Sequence, residues 1–313
     1  MQKHSKIYIA GSETFIGTAL SKELVNQGYT NVLSKTDKLI DLTNSLSVNA
    51  LFSELKPEYV FMVAGNSGGI LANQRYPANL MMNNLLIACH IIHHAYIHGV
   101  KKLLYLASSC SYPRDCPQPM KEKYLLTGSL EKTNEAYAVA KIAGIKLCQA
   151  YRQQYGMQFI VGIPANVYGP GDDFSEEDSH VIAALLRRMI EYRRAGIETC
   201  EIWGTGKARR EFVYVDDLAT ACIFLMDCYD DIEPINIGSG QEVSITELAE
   251  ITKEVTGYPG DILFDSSKPD GMPVKVLDSS KLCHLGWQPS TSVRSGIEKT
   301  YEWYLSEKSN PGN

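Results

Sequence analysis

Ser108, Ser109 and Cys110 run consecutively, and further on Tyr137 is followed one helical turn later by Lys141 in Tyr137-Ala-Val-Ala-Lys141. Together these segments offer a hydroxyl, a thiol, a phenol and an ammonium to a single carbonyl group. Residues four apart on a helix share a face, so the ammonium at 141 is expected to lower the energy of a phenolate whose free pKa is about 10. A tyrosine so placed can exchange protons near neutral pH. With a serine hydroxyl beside it, this is the equipment of ketone/alcohol redox chemistry using a nicotinamide, provided a dinucleotide-binding unit comes first.

Such a unit opens the chain. Residues 6–10, Lys-Ile-Tyr-Ile-Ala, read as a short strand, and Gly11-Ser-Glu-Thr14-Phe-Ile-Gly17 reads as the turn into a helix. Backbone N–H groups and a helix N-terminus at such a turn bind pyrophosphate. Thr14 stands where a third glycine is expected. Asp37, placed 20 residues after Gly17, can accept from a ribose 2′-hydroxyl, and Glu13 would repel a 2′-phosphate, which favours NAD. Lys35 and Lys38 can instead clamp a phosphate, and all four charges also fit a solvated loop.

The elements that must position these groups follow from periodicity. Ile16, Leu20 and Leu24 recur every fourth residue and Gly28 fits a C-cap, which defines the first helix. Strand-like runs at 6–10, 59–64, 103–107 and 158–163 alternate with helical patterns, the longest about 79–98 and 135–155. This alternation predicts an α/β fold with a doubly wound parallel Rossmann sheet. Beyond Tyr168-Gly169-Pro170-Gly171 the pattern loosens until helix resumes over 181–194, and Ile235-Asn236-Ile237 reads as a strand returning to the sheet. A smaller α/β substrate-binding domain therefore interleaves with the first. The expected division is 1–168 with 213–243 for the dinucleotide-binding domain, 169–212 with 244–308 for the smaller one, and 309–313 as a flexible tail.

A chain of 313 residues can bury cores for two lobes. A net charge of −6 excludes broad electrostatic binding to nucleic acid or an anionic membrane, so cations for a phosphorylated ligand must be local. The first strand runs straight into the glycine turn without a signal peptide's apolar region, and a cytoplasmic setting is expected. The apolar stretch 80–92 is broken by Asn83, Asn84 and His90 and is too short to span a bilayer, so it is expected to form a buried or dimer-forming helix. Eight cysteines without a CxxC pair point to reduced thiols, mostly packing residues, with neither a disulfide framework nor a metal site.

With Asn166-Val-Tyr168-Gly169-Pro170, these motifs resemble the extended short-chain dehydrogenase/reductases. The resemblance narrows to the GDP-L-fucose synthases through Gly68-Gly69-Ile70-Leu-Ala72-Asn73, Leu126-Thr-Gly128, Thr133-Asn134-Glu135, Ser179-His180-Val-Ile, Ala184-Leu-Leu-Arg187-Arg188, Arg210-Glu211-Phe212 and Ser267-Lys268-Pro269-Asp270-Gly271. It covers nearly the whole chain in the same order. It implies a GDP-linked keto sugar substrate, epimerised at C3 and C5 and then reduced at C4, with NADPH as cofactor and NADH as the alternative. Ser108, Tyr137 and Lys141 would form the redox triad, and Cys110 and His180 the epimerisation pair. The cofactor would lie against Gly11, Thr14, Phe15, Ile16, Gly17, Asp37, Asp41, Leu42, Tyr137, Lys141, Pro164, Asn166, Val167 and His180. The substrate would meet Ser109, Asn166, Arg188, Trp203, Arg210, Lys268 and Asp270. A homodimer through the helices near 79–98 and 135–155 is also implied.

Physical chemistry agrees with this division of labour. A C4 ketone acidifies the protons on C3 and C5 by turning each carbanion into an enolate, whose oxygen Ser108 and Tyr137 can stabilise. Inversion requires a base on one face and an acid on the other, and a thiol near 8.5 with an imidazole near 6.5 suits neutral pH. Taken singly, Cys110 fits a small core residue and His180 a loop histidine. A C4 reductase acting on an already epimerised hexose or heptose would need neither of them, and a silent dinucleotide-binding sensor would not need Tyr137. Family members commonly carry glycine at the Thr14 position and arginine at the Glu13 position, so these two departures bear on cofactor preference.

Overall fold

Ile7–Ala10 forms strand β1, four apolar residues buried on both faces as the interior of a parallel sheet requires. Helix α1 (Phe15–Asn26) follows at once. Its N-cap is Thr14, whose hydroxyl accepts from the Gly17 N–H at 3.0 Å and donates to the Gly11 carbonyl at 2.8 Å. The residue in the third-glycine position thus closes the first turn, the role that suits threonine at a helix start. The computed structural model describes residues 1–33, 40–176, 179–268 and 270–309.

The chain continues through β2 (Val32–Leu33), α2 (Ser45–Leu55), β3 (Tyr59–Met62), α3 (Ile70–Arg75), α4 (Pro77–Ile97) and β4 (Lys102–Leu106). Next come α5 (Glu135–Tyr155), β5 (Gln158–Pro164), β6 (Asn166–Tyr168), α6 (Val181–Ala195), β7 (Thr199–Trp203) and β8 (Arg209–Tyr214). It then passes through α7 (Val215–Cys228), β9 (Ile235–Ile237), β10 (Glu242–Ser244), α8 (Ile245–Thr256), β11 (Asp261–Asp265) and β12 (Val274–Lys275). Two helices close the described chain, α9 (Ser280–Leu285) and α10 (Val293–Ser309). Helix α10 therefore takes in Ser309 from the expected tail, and 310–313 lie outside the described residues. The first helix is capped at Gln27, with Gly28 next in the left-handed region at φ +84°.

Six strands form a parallel sheet in the order β2-β1-β3-β4-β5-β9, the doubly wound arrangement expected. The winding reverses between β1 and β3, which opens a crevice beyond their carboxyl ends. Gly11 lies there at φ +91°, and a Cβ on it would stand 2.6 Å from the backbone of Ala64. A Cβ on Gly17 would stand 2.0 Å from the Gly11 carbonyl oxygen, so both glycines are required by close approach of backbone to backbone.

One apolar core, including Ile9, Leu104, Ile160 and Leu225, lies against this sheet. A second, including Leu186, Met189, Phe212, Leu248 and Ile297, lies under a smaller sheet in which β10, β8 and β12 are neighbours and β6 also pairs with β8. The 244–308 stretch is shared between them, since Leu277, Leu282 and Trp287 join the first core. Cys116, Cys148, Cys200 and Cys222 are buried, whereas Cys89, Cys228 and Cys283 are exposed and are not the packing residues expected. All eight cysteines are free thiols. Among the described residues no helix is long and apolar enough to cross a membrane.

Helix α5 is seated on the sheet at Gly144. A Cβ there would meet the Tyr105 ring at 2.4 Å, and the Tyr105 hydroxyl reaches the Lys141 carbonyl at 3.4 Å. This contact fixes the height of the helix that carries Tyr137 and Lys141. Gly144→Ala is expected to destabilise the protein by about 1–3 kcal/mol through overpacking, read as a lower midpoint in denaturant. In a Tyr105→Leu background the same change costs less by at least about 0.5 kcal/mol, whereas strictly additive costs contradict the assignment.

Candidate active site

The turn after β4 and the start of α5 bring the catalytic candidates together. Ser108 caps a short 3-10 turn over Ser109–Ser111, its oxygen accepting from the Cys110 N–H at 3.2 Å, and Ser109 lies buried beneath that turn. Lys141 is buried, donates to the Leu106 carbonyl at 3.2 Å and sits 5.8 Å from the centre of the Tyr137 ring. Burial pushes its ammonium down to about 8. Tyr137 is pushed above an ordinary phenol by burial and by the neighbouring Cys110, with a hydrogen bond to Ser108 acting the other way. The expected depression of Tyr137 by Lys141 is therefore corrected. Helical spacing makes the two neighbours, but the ammonium turns to a backbone carbonyl and the loss of water dominates the phenol. Tyr137 keeps its proton at neutral pH, the form a proton donor needs.

The Cys110 sulfur accepts from the Asn134 side-chain amide at 3.1 Å and from the Lys275 ammonium at 3.3 Å. Burial opposes ionisation, yet the charge of Lys275 and the hydrogen bonds from Ser108, Lys275 and Asn134 outweigh it and hold the thiol below its usual range. His180 stands just before α6 and makes no capping bond. Its residue is open to solvent, but crowding by the cleft walls, followed by the Lys275 charge, lowers the imidazole, with Asp173 pulling it upward. Lys275 thus acts on both members of the expected epimerisation pair. Sequence reading missed Lys275, which lies in a two-residue strand with no motif of its own. Asn134 entered only as part of the Thr133-Asn134-Glu135 motif, without a role; its side chain makes no capping bond to α5 and turns to the Cys110 sulfur instead.

Five of the seven residues expected at a nucleotide sugar gather around the end of β7, while Ser109 lies in the turn after β4 and Asn166 in β6. Lys268 stands 5.6 Å from the centre of the Trp203 ring, which is 54% exposed. Asp270 accepts from the Thr205 N–H at 2.7 Å and from its hydroxyl at 2.8 Å. Arg210 donates to the carbonyls of Met272 at 2.6 Å and Asp270 at 3.2 Å, and Arg188 donates to the Glu201 carbonyl. Among the described residues neither arginine is in a salt bridge. Their sequence neighbours differ: Arg187 pairs with Glu191 at 3.0 Å and Arg209 with Glu242 at 3.0 Å. In the small sheet Lys275 is the register partner of Arg210, so the strand that touches Cys110 also borders this cationic cluster.

The dinucleotide candidates line the crevice and its rim. Thr14, Phe15 and Ile16 are half-buried at the start of α1, whose first turn holds no acidic residue. Pro164 ends β5, and Asn166 and Val167 lie in β6, where the Asn166 amide donates to the Glu211 carbonyl at 2.9 Å. Asp41 accepts from the Thr43 N–H at 2.9 Å, and Leu42 is buried. Asp37, Lys35, Lys38 and Pro269 lie outside the described residues. A glycine cradle whose missing Cβ atoms would strike backbone, opening on a helix whose first turn holds no acidic side chain, fits a dinucleotide pyrophosphate.

Residues 7–238 match the NAD dependent epimerase/dehydratase family. Over 308 residues the chain is 53% identical to GDP-L-fucose synthase 1 of Arabidopsis thaliana, covering 98% of this chain and 95% of that one. The solved GDP-6-OMe-4-keto-L-xylo-heptose reductase of C. jejuni is 36% identical with a TM-score of 0.91, covering 98% of this chain and 99% of that one. The GDP-L-fucose synthetase of Naegleria fowleri bound to NADP is 25% identical with a TM-score of 0.91, covering 99% and 97%.

Burial of Lys141 has a measurable signature. Its folded pKa of about 8 lies below the roughly 10.4 of free lysine, so between these values the unfolded chain holds the extra proton. The charge therefore penalises the fold at neutral pH, and the penalty fades as pH rises through that window. The stability of the wild type minus that of Lys141→Met is expected to rise by about 2–3 kcal/mol between pH 7 and 10 in denaturant titrations. A flat difference contradicts the assigned shift.

Proposed function

The chain belongs to the NAD-dependent epimerase/dehydratase family, and from that we propose that it converts a GDP-4-keto-6-deoxy-mannose-type sugar to GDP-L-fucose or a close analogue, epimerising C3 and C5 and reducing C4 with NADPH. The observation that carries this reading is the Cys110 sulfur, hydrogen-bonded by an ammonium and an amide in the same pocket as Tyr137 and Lys141. A reductase alone has no use for a thiol whose ionisation is favoured there.

The hydroxyls of Ser108 and Tyr137 donate to the C4 oxygen and stabilise the enolate. Cys110 as thiolate takes the proton from the carbon next to C4, and the C–H electron pair moves into the enolate. His180 in its imidazolium form returns a proton to the opposite face, and exchange with water then takes the proton from the thiol and restores one to the imidazole. The Gly11–Gly17 turn, Asn166 and Lys141 would hold NADPH, which would supply the hydride to C4. Tyr137 gives its phenolic proton to the oxygen as alkoxide develops, and the tyrosinate is reprotonated from water. Arg188, Arg210 and Lys268 bind the diphosphate end, with Trp203 and Asp270 beside it. The eight free thiols accord with a cytoplasmic setting. Exposed Met82 on α4 and Val139 on α5 support a homodimer through these helices.

Incubating the keto sugar in deuterated water without NADPH is expected to place deuterium at C3 and C5, read by NMR. Cys110→Ser and His180→Gln each slow this by about 100-fold or more. Added NADPH is then consumed as the 4-hydroxyl product forms. Absence of exchange in the wild type overturns the epimerase assignment, and NADPH consumption without exchange leaves a C4 reductase.

A further inference from the structure

The groups that face the Cys110 sulfur come from three elements. Ser108 lies in its own turn, while Asn134, Tyr137 and Lys141 come from the start of α5. Lys275 comes from β12 in the small sheet. Among the described residues it is the cation in direct contact with the sulfur, because the Lys141 ammonium is engaged by the Leu106 carbonyl. The position of Lys275 is held from both sides. It pairs with Arg210 in β8, and just beyond it the Leu277 N–H donates at 2.8 Å to the carboxylate of Glu211, which is buried and also accepts from the Gly240 N–H at 2.7 Å. The Met120 N–H donates to the Val276 carbonyl at 2.8 Å and the Asp278 N–H to the Met120 carbonyl at 2.9 Å. This segment is thereby stitched to the loop that follows the Cys110 turn.

We infer that Lys275 is the positioning residue that keeps Cys110 ionised as the base, joining the thiol of the dinucleotide-binding half to the strand that borders the Arg210 cluster. The inference deepens the epimerase reading and depends on it for the role of the base, while the ionisation itself can be read without substrate. The proton-transfer step then begins from thiolate, and the S–H bond forms as the C–H bond breaks. His180 feels the same ammonium, opposed by Asp173, and Tyr137 and Lys141 feel the sulfur's charge in return. Removing Lys275 leaves burial of the sulfur without its main opposing charge, so the thiol rises.

The test is the pH dependence of iodoacetamide alkylation at Cys110 in the full-length protein, followed by mass spectrometry of its peptide. In the wild type the half-point is expected below the roughly 8.5 of a free thiol. Lys275→Met and Lys275→Gln are expected to raise it by at least about one unit, which slows alkylation about tenfold at any pH below both half-points, and Lys275→Arg restores most of the rate. The rising limb of deuterium exchange into the keto sugar moves with it. Folded Lys275→Met or Lys275→Gln protein with an unchanged half-point overturns the inference. A shifted half-point in protein that never exchanges the sugar protons leaves the thiolate standing and removes the epimerase reading.

Discussion

Withdrawal from water is the constraint on which this site depends. Tyr137, Lys141 and Cys110 sit where protein crowds out solvent, His180 stands at the open rim, and for each of them loss of water is the strongest influence on ionisation. Left to burial alone, the phenol and thiol would stay protonated and the amine and imidazole would tend toward neutrality. Three of the four follow that course. Cys110 departs from it because the Lys275 ammonium and two further donors meet its sulfur directly. One cleft consequently holds a protonated phenol beside a thiol whose ionisation is favoured.

The fold supplies this arrangement from two directions. Reversal of strand order between β1 and β3 opens the crevice, and Gly11 and Gly17 let backbone pack against backbone at its floor. Strand β4 leads to the Ser108 turn, and α5, seated on Tyr105 through Gly144, presents Tyr137 and Lys141 beside it. From the opposite side the small sheet contributes β12 and β8, with Lys275 and Arg210 in register. The buried Glu211 carboxylate ties β8 to the Leu277 and Gly240 amides, so the second half of the site has a framework of its own.

The parts of this arrangement carried by local pattern were legible in the sequence. The first helix follows from Ile16, Leu20 and Leu24, and α5 spans the predicted 135–155, ending where Gly156 takes the left-handed cap. The Ser108–Cys110 and Tyr137–Lys141 motifs gave the chemistry because side-chain type and spacing suffice to place them together. Spacing gave the wrong sign for Tyr137, since it tells which groups are neighbours and nothing of how much water surrounds them. Thr14 read as a defect in a glycine motif, and its hydroxyl turns out to cap α1. Lys275 was invisible because its contact with Cys110 spans 165 positions and arises from the pairing of β12 with β8.

The central claim is that one polarised carbonyl serves both half-reactions, and Ser108→Ala addresses it most directly. Two rates are measured on one preparation: deuterium exchange at C3 and C5 without cofactor, and single-turnover oxidation of NADPH by the already epimerised ketone. Loss of a hydrogen-bond donor shared by enolate and alkoxide is predicted to slow both, each by about 100-fold or more. Exchange at the wild-type rate in a variant whose reduction has collapsed would mean that the two reactions do not share the Ser108–Tyr137 grip on the C4 oxygen.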